Sequence, residues 1–124
     1  MFHQIDYVMI VVSDMNLSVR FYRDLLGIAL KFESPDWTEF VTGVTTLALH
    51  GGGIKGASAE GFENRAGSCS IGFNVPNLDQ TYEELKSKGV VFVMPPSARE
   101  GEGTRLAVAL GPDGLPISFA QLVK

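Results

Sequence analysis

Apolar and polar positions alternate between two periods along this chain, and they do so twice. Ile5 to Val12 is a short β-branched run, too short for a helix, and it predicts a strand buried on both faces. Ser13, Asp14 and Asn16 follow as candidate caps for a helix that places Leu17, Phe21, Tyr22, Leu25 and Leu26 on one stripe, and Gly27 supplies its left-handed stop. Three short strand patterns come next: Ile28 to Glu33, Trp37 to Thr42 after the turn Ser34-Pro35-Asp36, and Thr45 to His50. The order is βαβββ.

From about Ser68 the same order restarts. A strand to about Val75 leads to Asn77, which with Gln80 forms a capping box for a helix facing inward through Leu78, Thr81, Tyr82 and Leu85 and closed by Gly89. Val91 to Met94 reads as a strand that Pro95 and Pro96 cut off, followed by a polar loop from Ser97 to Gly103. Thr104 to Leu110, the turn Gly111-Pro112-Asp113-Gly114, and Leu115 to Leu122 complete the second set. Tyr22 and Tyr82 occupy equivalent helical positions and read as packing residues.

Between the halves, residues 51–67 are glycine-rich and aperiodic, which marks a linker or mobile loop. The run Gly51-Gly52-Gly53-Ile54-Lys55-Gly56 lacks the Gly-Lys-Ser/Thr ending and following helix of a phosphate cradle. The 124 residues are expected to form one α+β domain, with a first module at about 1–50 and a second at about 68–124.

Composition narrows the function classes. A hydrophobic fraction of 45% with 19% charged residues is that of a globular chain. No apolar run approaches the ~18 residues of a membrane span, and no basic and apolar leader opens the chain, so the expected location is cytoplasmic. A net charge of −4 counts against a phosphate-tracking nucleic-acid surface and favours neutral or cationic small partners. The single cysteine, Cys69, excludes an intrachain disulfide and a Cys-based zinc cluster, and reads as a small buried hydrophobe in a strand.

Val12-Ser13-Asp14-Met15 leading into Phe21-Tyr22-Arg23-Asp24-Leu25-Leu26-Gly27, the restart at Val75-Pro76-Asn77-Leu78, and Gly111-Pro112-Asp113-Gly114 before the last strand together resemble the vicinal oxygen chelate superfamily. This group holds glyoxalase I, extradiol dioxygenases, fosfomycin-resistance enzymes and bleomycin-resistance proteins. The resemblance implies two βαβββ modules forming a cup-like open half barrel, and a homodimer in which modules of both chains line each cavity. It also places the family's metal ligands, from the first and last strand of each module, at Tyr7, Ala48, Ser70 and Ser118.

That set predicts no metal and no other cofactor. Alanine offers no donor, and neutral hydroxyls are poor ligands for a divalent ion. His50, two residues beyond Ala48 on the same strand face, is the one candidate for an irregular site, although a histidine at a strand end more often bonds within its loop. Glu33 and Glu39 fall in a predicted hairpin, where carboxylates usually face water, and His3 lies near the terminus.

Tyr7, Met9, Ser70 and Ser118, with Trp37 and Phe40 from the third strand and His50, are the candidate ligand-binding residues, giving apolar walls with a few hydrogen-bonding groups. A flat aromatic or cationic ligand could use Trp37, whose competing reading is as filler of an interface between modules or chains. The expectation is a metal-free binding protein resembling the bleomycin-resistance branch. The alternative is a lyase, isomerase or oxygenase using a metal near His50 or acid–base catalysis without metal. No Ser/His/Asp constellation or paired carboxylate supports that alternative.

Overall fold

The computed structural model describes residues 1–55, 66–99 and 103–122. The chain divides into two compact units, Met1–Ala57 and Ser58–Lys124. Each carries one open four-stranded sheet, and neither sheet closes into a barrel.

In the first unit, β1 (Tyr7–Val11), α1 (Met15–Arg20), β2 (Ala29–Glu33), β3 (Trp37–Thr42) and β4 (Thr45–His50) give the βαβββ order. The sheet order is β1-β4-β3-β2, with β1 parallel to β4 and the other pairs antiparallel. Asp14 caps α1, its carboxylate accepting from the Leu17 N–H at 3.1 Å. The helix then widens into a π-helical turn over Phe21–Leu25, with the Leu26 N–H bonded to the Phe21 carbonyl at 3.0 Å. This departs from the single regular stripe expected of residues 17 to 26. The wider turn buries Phe21 and Tyr22, with Ser18 and Val19 beneath, and leaves Leu17 at the surface.

Helix and sheet meet over Val12, Thr38, Phe40, Leu47 and Leu49, all at most 4% exposed. The Tyr22 ring lies 5.9 Å from Phe40 and 5.1 Å from Phe21. Only this face is core. Tyr7, Met9 and Val11 on the other face of β1 are 44–59% exposed, so the expectation of a strand buried on both sides is corrected. β1 is an edge strand with a helix on one side.

The glycines after β4 are held, not free. Gly53 donates to the Val12 carbonyl at 3.0 Å, and a Cβ there would come within 2.7 Å of the Val11 side chain. Gly51 and Gly53, at the start of the expected linker 51–67, are thus bonded to the first unit. Residues 56–65 of that linker lie outside the described residues.

The second unit repeats the plan with β5 (Ile71–Asn74), α2 (Leu78–Ser87), β6 (Val91–Arg99), β7 (Thr104–Leu110) and β8 (Pro116–Leu122), in the order β5-β8-β7-β6. Asn77 caps α2 by accepting from the Gln80 N–H at 3.1 Å, and the Gln121 side chain accepts the Leu78 N–H at 2.6 Å, tying the helix start to β8. Leu78, Leu85, Ala107, Ala109, Ile117 and Phe119 form its core, with Phe73 stacked on Phe119 at 5.8 Å and Tyr82 edge-on to Phe92 at 4.7 Å.

Two strand limits differ from expectation. β6 continues through Pro95 and Pro96 to Arg99, because it is an edge strand whose register shifts between Phe92 and Met94 and again before Ser97. A proline needs no ladder bond at such places. β5 begins only at Ile71, so Cys69 is exposed ahead of the strand instead of buried within it.

Candidate functional site

Strand register decides which side chains share the open face of the first sheet. Val11, His50 and Trp37 lie side by side across β1, β4 and β3; so do Met9, Ala48 and Glu39, and Tyr7, Thr46 and Val41. Tyr7, Met9, Trp37 and His50 are therefore brought together on one face. Phe40 is not. It points to the helix side and is 0% exposed, because it is three residues from Trp37 and strand side chains alternate. Its assignment to the ligand set is corrected to the core.

The rings on the open face form an angular group. Tyr7 and Trp37 have centroids 6.3 Å apart at 70°, and Trp37 and His50 are 6.1 Å apart at 89°. His50 is exposed, with Nδ1 2.7 Å from the Gly51 carbonyl.

Glu39 was missed by sequence reasoning as a member of this face. Its carboxylate is 28% exposed, accepts the Trp37 indole Nε1–H at 2.8 Å through Oε2, and sits 3.6 Å from the Lys31 ammonium through Oε1. The available signal was its spacing of two from Trp37, which strand alternation turns into a shared face.

In the second unit, Ser118 lies on β8 opposite Gly72 and Val108 on the face away from α2. Its hydroxyl occupies the space beside Gly72, where a Cβ would come within 2.7 Å of Oγ. Ser70 is exposed and precedes β5, outside the ladder.

The residues at the four positions that the resemblance assigns to metal ligands do not suit a divalent ion. Ala48 is fully buried between its strand neighbours Met9 and Glu39 and has no donor. Tyr7, Ser70 and Ser118 offer only neutral hydroxyls. Among the described residues, no group of three or more His, Cys, Asp or Glu side chains could hold a metal ion.

A separate hollow of about 420 Å³ opens at the start of α1, lined by Ser13, Asp14, Asn16 and Glu33 among others. None of the candidate ligand residues reaches it. No helix among the described residues is long and apolar enough to cross a membrane.

Comparison with known proteins agrees with the paired modules. Residues 4–119 match the family model of the Glyoxalase/Bleomycin resistance protein/Dioxygenase superfamily. The uncharacterised protein YraH of Bacillus subtilis (strain 168) is 30% identical over 111 residues, spanning 84% of this chain and 87% of that protein. Among solved structures, a glyoxalase/dioxygenase from Nostoc punctiforme superposes with a TM-score of 0.83 at 18% identity, covering 98% of this chain and 92% of that one. A glyoxalase/bleomycin resistance protein/dioxygenase from Nocardioides gives 0.76 at 24% identity, covering 100% and 86%. The chain belongs to the glyoxalase/bleomycin resistance protein/dioxygenase superfamily.

Proposed function

We propose that the chain is a cytoplasmic, homodimeric small-molecule-binding protein that sequesters a drug-like or metabolite ligand on the open face of its first sheet without a metal ion. The observation that carries this reading is the Tyr7–Trp37–His50 ring group on the face where enzymatic relatives use a metal ligand and this chain has Ala48. Rings beside a half-buried carboxylate are the apolar walls and sparse polar groups of a ligand site. The exposure of Tyr7, Met9, Val11, Phe32 and Val41, between 44% and 59%, supports burial against a ligand and a second copy of the chain.

The test is calorimetric titration with a panel of aromatic and cationic small molecules, alongside Trp37 fluorescence and elemental analysis after dialysis against Zn, Mn, Fe and Ni. The reading expects one site per chain, a change in Trp37 emission, and no stoichiometric retained metal. A panel that leaves Trp37 unaltered, or tightly retained metal lost on His50→Ala, contradicts it.

One observation favours a second reading. Glu39 brings a titratable carboxylate to the same face as His50 and Tyr7, which suits acid–base catalysis of the lyase or isomerase kind. Under that reading, a bound ligand is turned over, and Glu39→Gln abolishes turnover while leaving binding of a neutral ligand intact.

A further inference from the structure

We propose that the ligand group recognised on this face is an organic cation of the alkylated ammonium kind, held against the Tyr7, Trp37 and His50 rings with Glu39 as its counter-charge. This rests on the reading of the open face as the ligand site, and adds the chemical class that the face selects.

The first observation is the ring geometry. Interplanar angles of 70° and 89° set Tyr7 and His50 edge to face with Trp37 instead of stacked on it, so the three ring planes on this face are not parallel. An aromatic face is electron-rich, and a cation within about 6 Å of its centroid is attracted to it.

The second observation is independent of the rings. Glu39 Oε2 is engaged by the Trp37 indole, and among the described residues Oε1 is paired with Lys31 at 3.6 Å, whose side chain is 57% exposed. A pair at that separation with its lysine open to solvent is weak. A ligand cation reaching Oε1 replaces Lys31 without disturbing the bond that orients the indole, and the carboxylate turns away anions. The net charge of −4 favours approach of a cation from solution.

The third consideration sets the kind of cation. Met9 and Val11, exposed on this face beside Ala48 and His50 in register, present a thioether and an isopropyl group. These cannot replace the water shell of a metal ion or a primary ammonium, whereas an alkylated ammonium asks for apolar contact.

The experiment uses two probes of one shape, para-hydroxyphenyltrimethylammonium and the neutral para-tert-butylphenol, titrated into isotope-labelled full-length protein. The single tryptophan gives one indole N–H resonance to follow. The expected result is that the cation shifts this resonance and binds at least about tenfold tighter than the neutral probe. Glu39→Gln keeps an acceptor for the indole and removes the charge, and is expected to collapse that preference while leaving the neutral probe's affinity unchanged. Lys31→Met, at an exposed position, is expected to tighten the cation alone.

Equal affinity of the two probes in the native protein overturns the cation assignment while leaving the face as the ligand site. A preference that survives Glu39→Gln overturns the role given to Glu39. If neither probe moves the Trp37 resonance at any concentration, the ligand-site reading falls with the inference.

Discussion

Trp37 and Glu39 stand two residues apart on β3, share one face of the sheet, and are joined by an indole Nε1–H donated to the carboxylate at 2.8 Å. The bond holds the largest ring of the open face in one orientation and places a half-buried carboxylate beside it. Glu39→Ala is expected to lower stability by about 1 kcal/mol, the usual worth of such a bond, and to alter Trp37 emission. Glu39→Gln, which retains an acceptor, is expected to leave the emission near its native form. Urea unfolding followed by the fluorescence of this one tryptophan reads both effects. Indistinguishable Glu39→Ala and native spectra would show that the bond is not made.

Phe40 and Trp37 separate core from site. Phe40→Ala empties a fully buried position packed on Tyr22 and is expected to cost about 3–5 kcal/mol. Trp37→Ala removes a half-buried ring from an open face and is expected to cost less, while abolishing ligand response. Denaturation midpoints of the two variants, compared at equal slope, give the ranking. A reversed ranking counts against the assignment of faces.

Asp79 in the first turn of α2 is bonded twice to Arg105 of β7, at 2.9 Å each. Hydrogen bonds from Arg105 hold its carboxyl below the usual carboxylate range, with partial desolvation opposing and the guanidinium charge assisting. Because the folded carboxyl is the stronger acid, the pair's contribution is present above the unfolded value near ~3.9 and fades as pH falls through the folded one. The Tm difference between the native protein and Asp79→Asn is therefore expected to be small and constant near neutral pH and to close in acid. A gap that widens on acidification would contradict the pairing.

Ser18 is fully buried in α1, and its hydroxyl has no hydrogen-bond partner among the described residues. Removing a buried, unbonded hydroxyl recovers its desolvation cost, and alanine is the better helix former. Ser18→Ala is expected to raise stability by about 1 kcal/mol in thermal or urea unfolding. A loss of that size would show that the hydroxyl has a bond after all.

Local signals made the modules legible from sequence. Asp14 and Asn77 cap their helices, and Gly27 and Gly89 follow them at φ of 71° and 93°. Caps and stops act over a few residues, and a repeat doubles the signal. What failed depends on the place of a strand in its sheet. Pro95 and Pro96 remain inside β6 because that strand is an edge, and Tyr7, Met9 and Val11 are open because β1 is one. Neither fact is contained in the residues themselves.

The candidate site was half legible. Alternation places Tyr7, Met9, Trp37 and His50 together, and the same rule applied to Phe40 and Glu39 would have moved the first to the core and the second to the face. In sequence Glu39 resembles a solvent carboxylate, because its partner, the indole N–H, becomes a neighbour only in the folded strand.

The most direct measurement is a map of backbone amide and Trp37 indole shifts while a bound small molecule is titrated into the native protein. The largest changes are expected on β1, β3 and β4, at Tyr7, Met9, Trp37, Glu39 and His50, and Trp37→Ala is expected to remove them. Changes centred on the hollow at the start of α1, or a response undiminished in Trp37→Ala, would contradict the ligand-site reading.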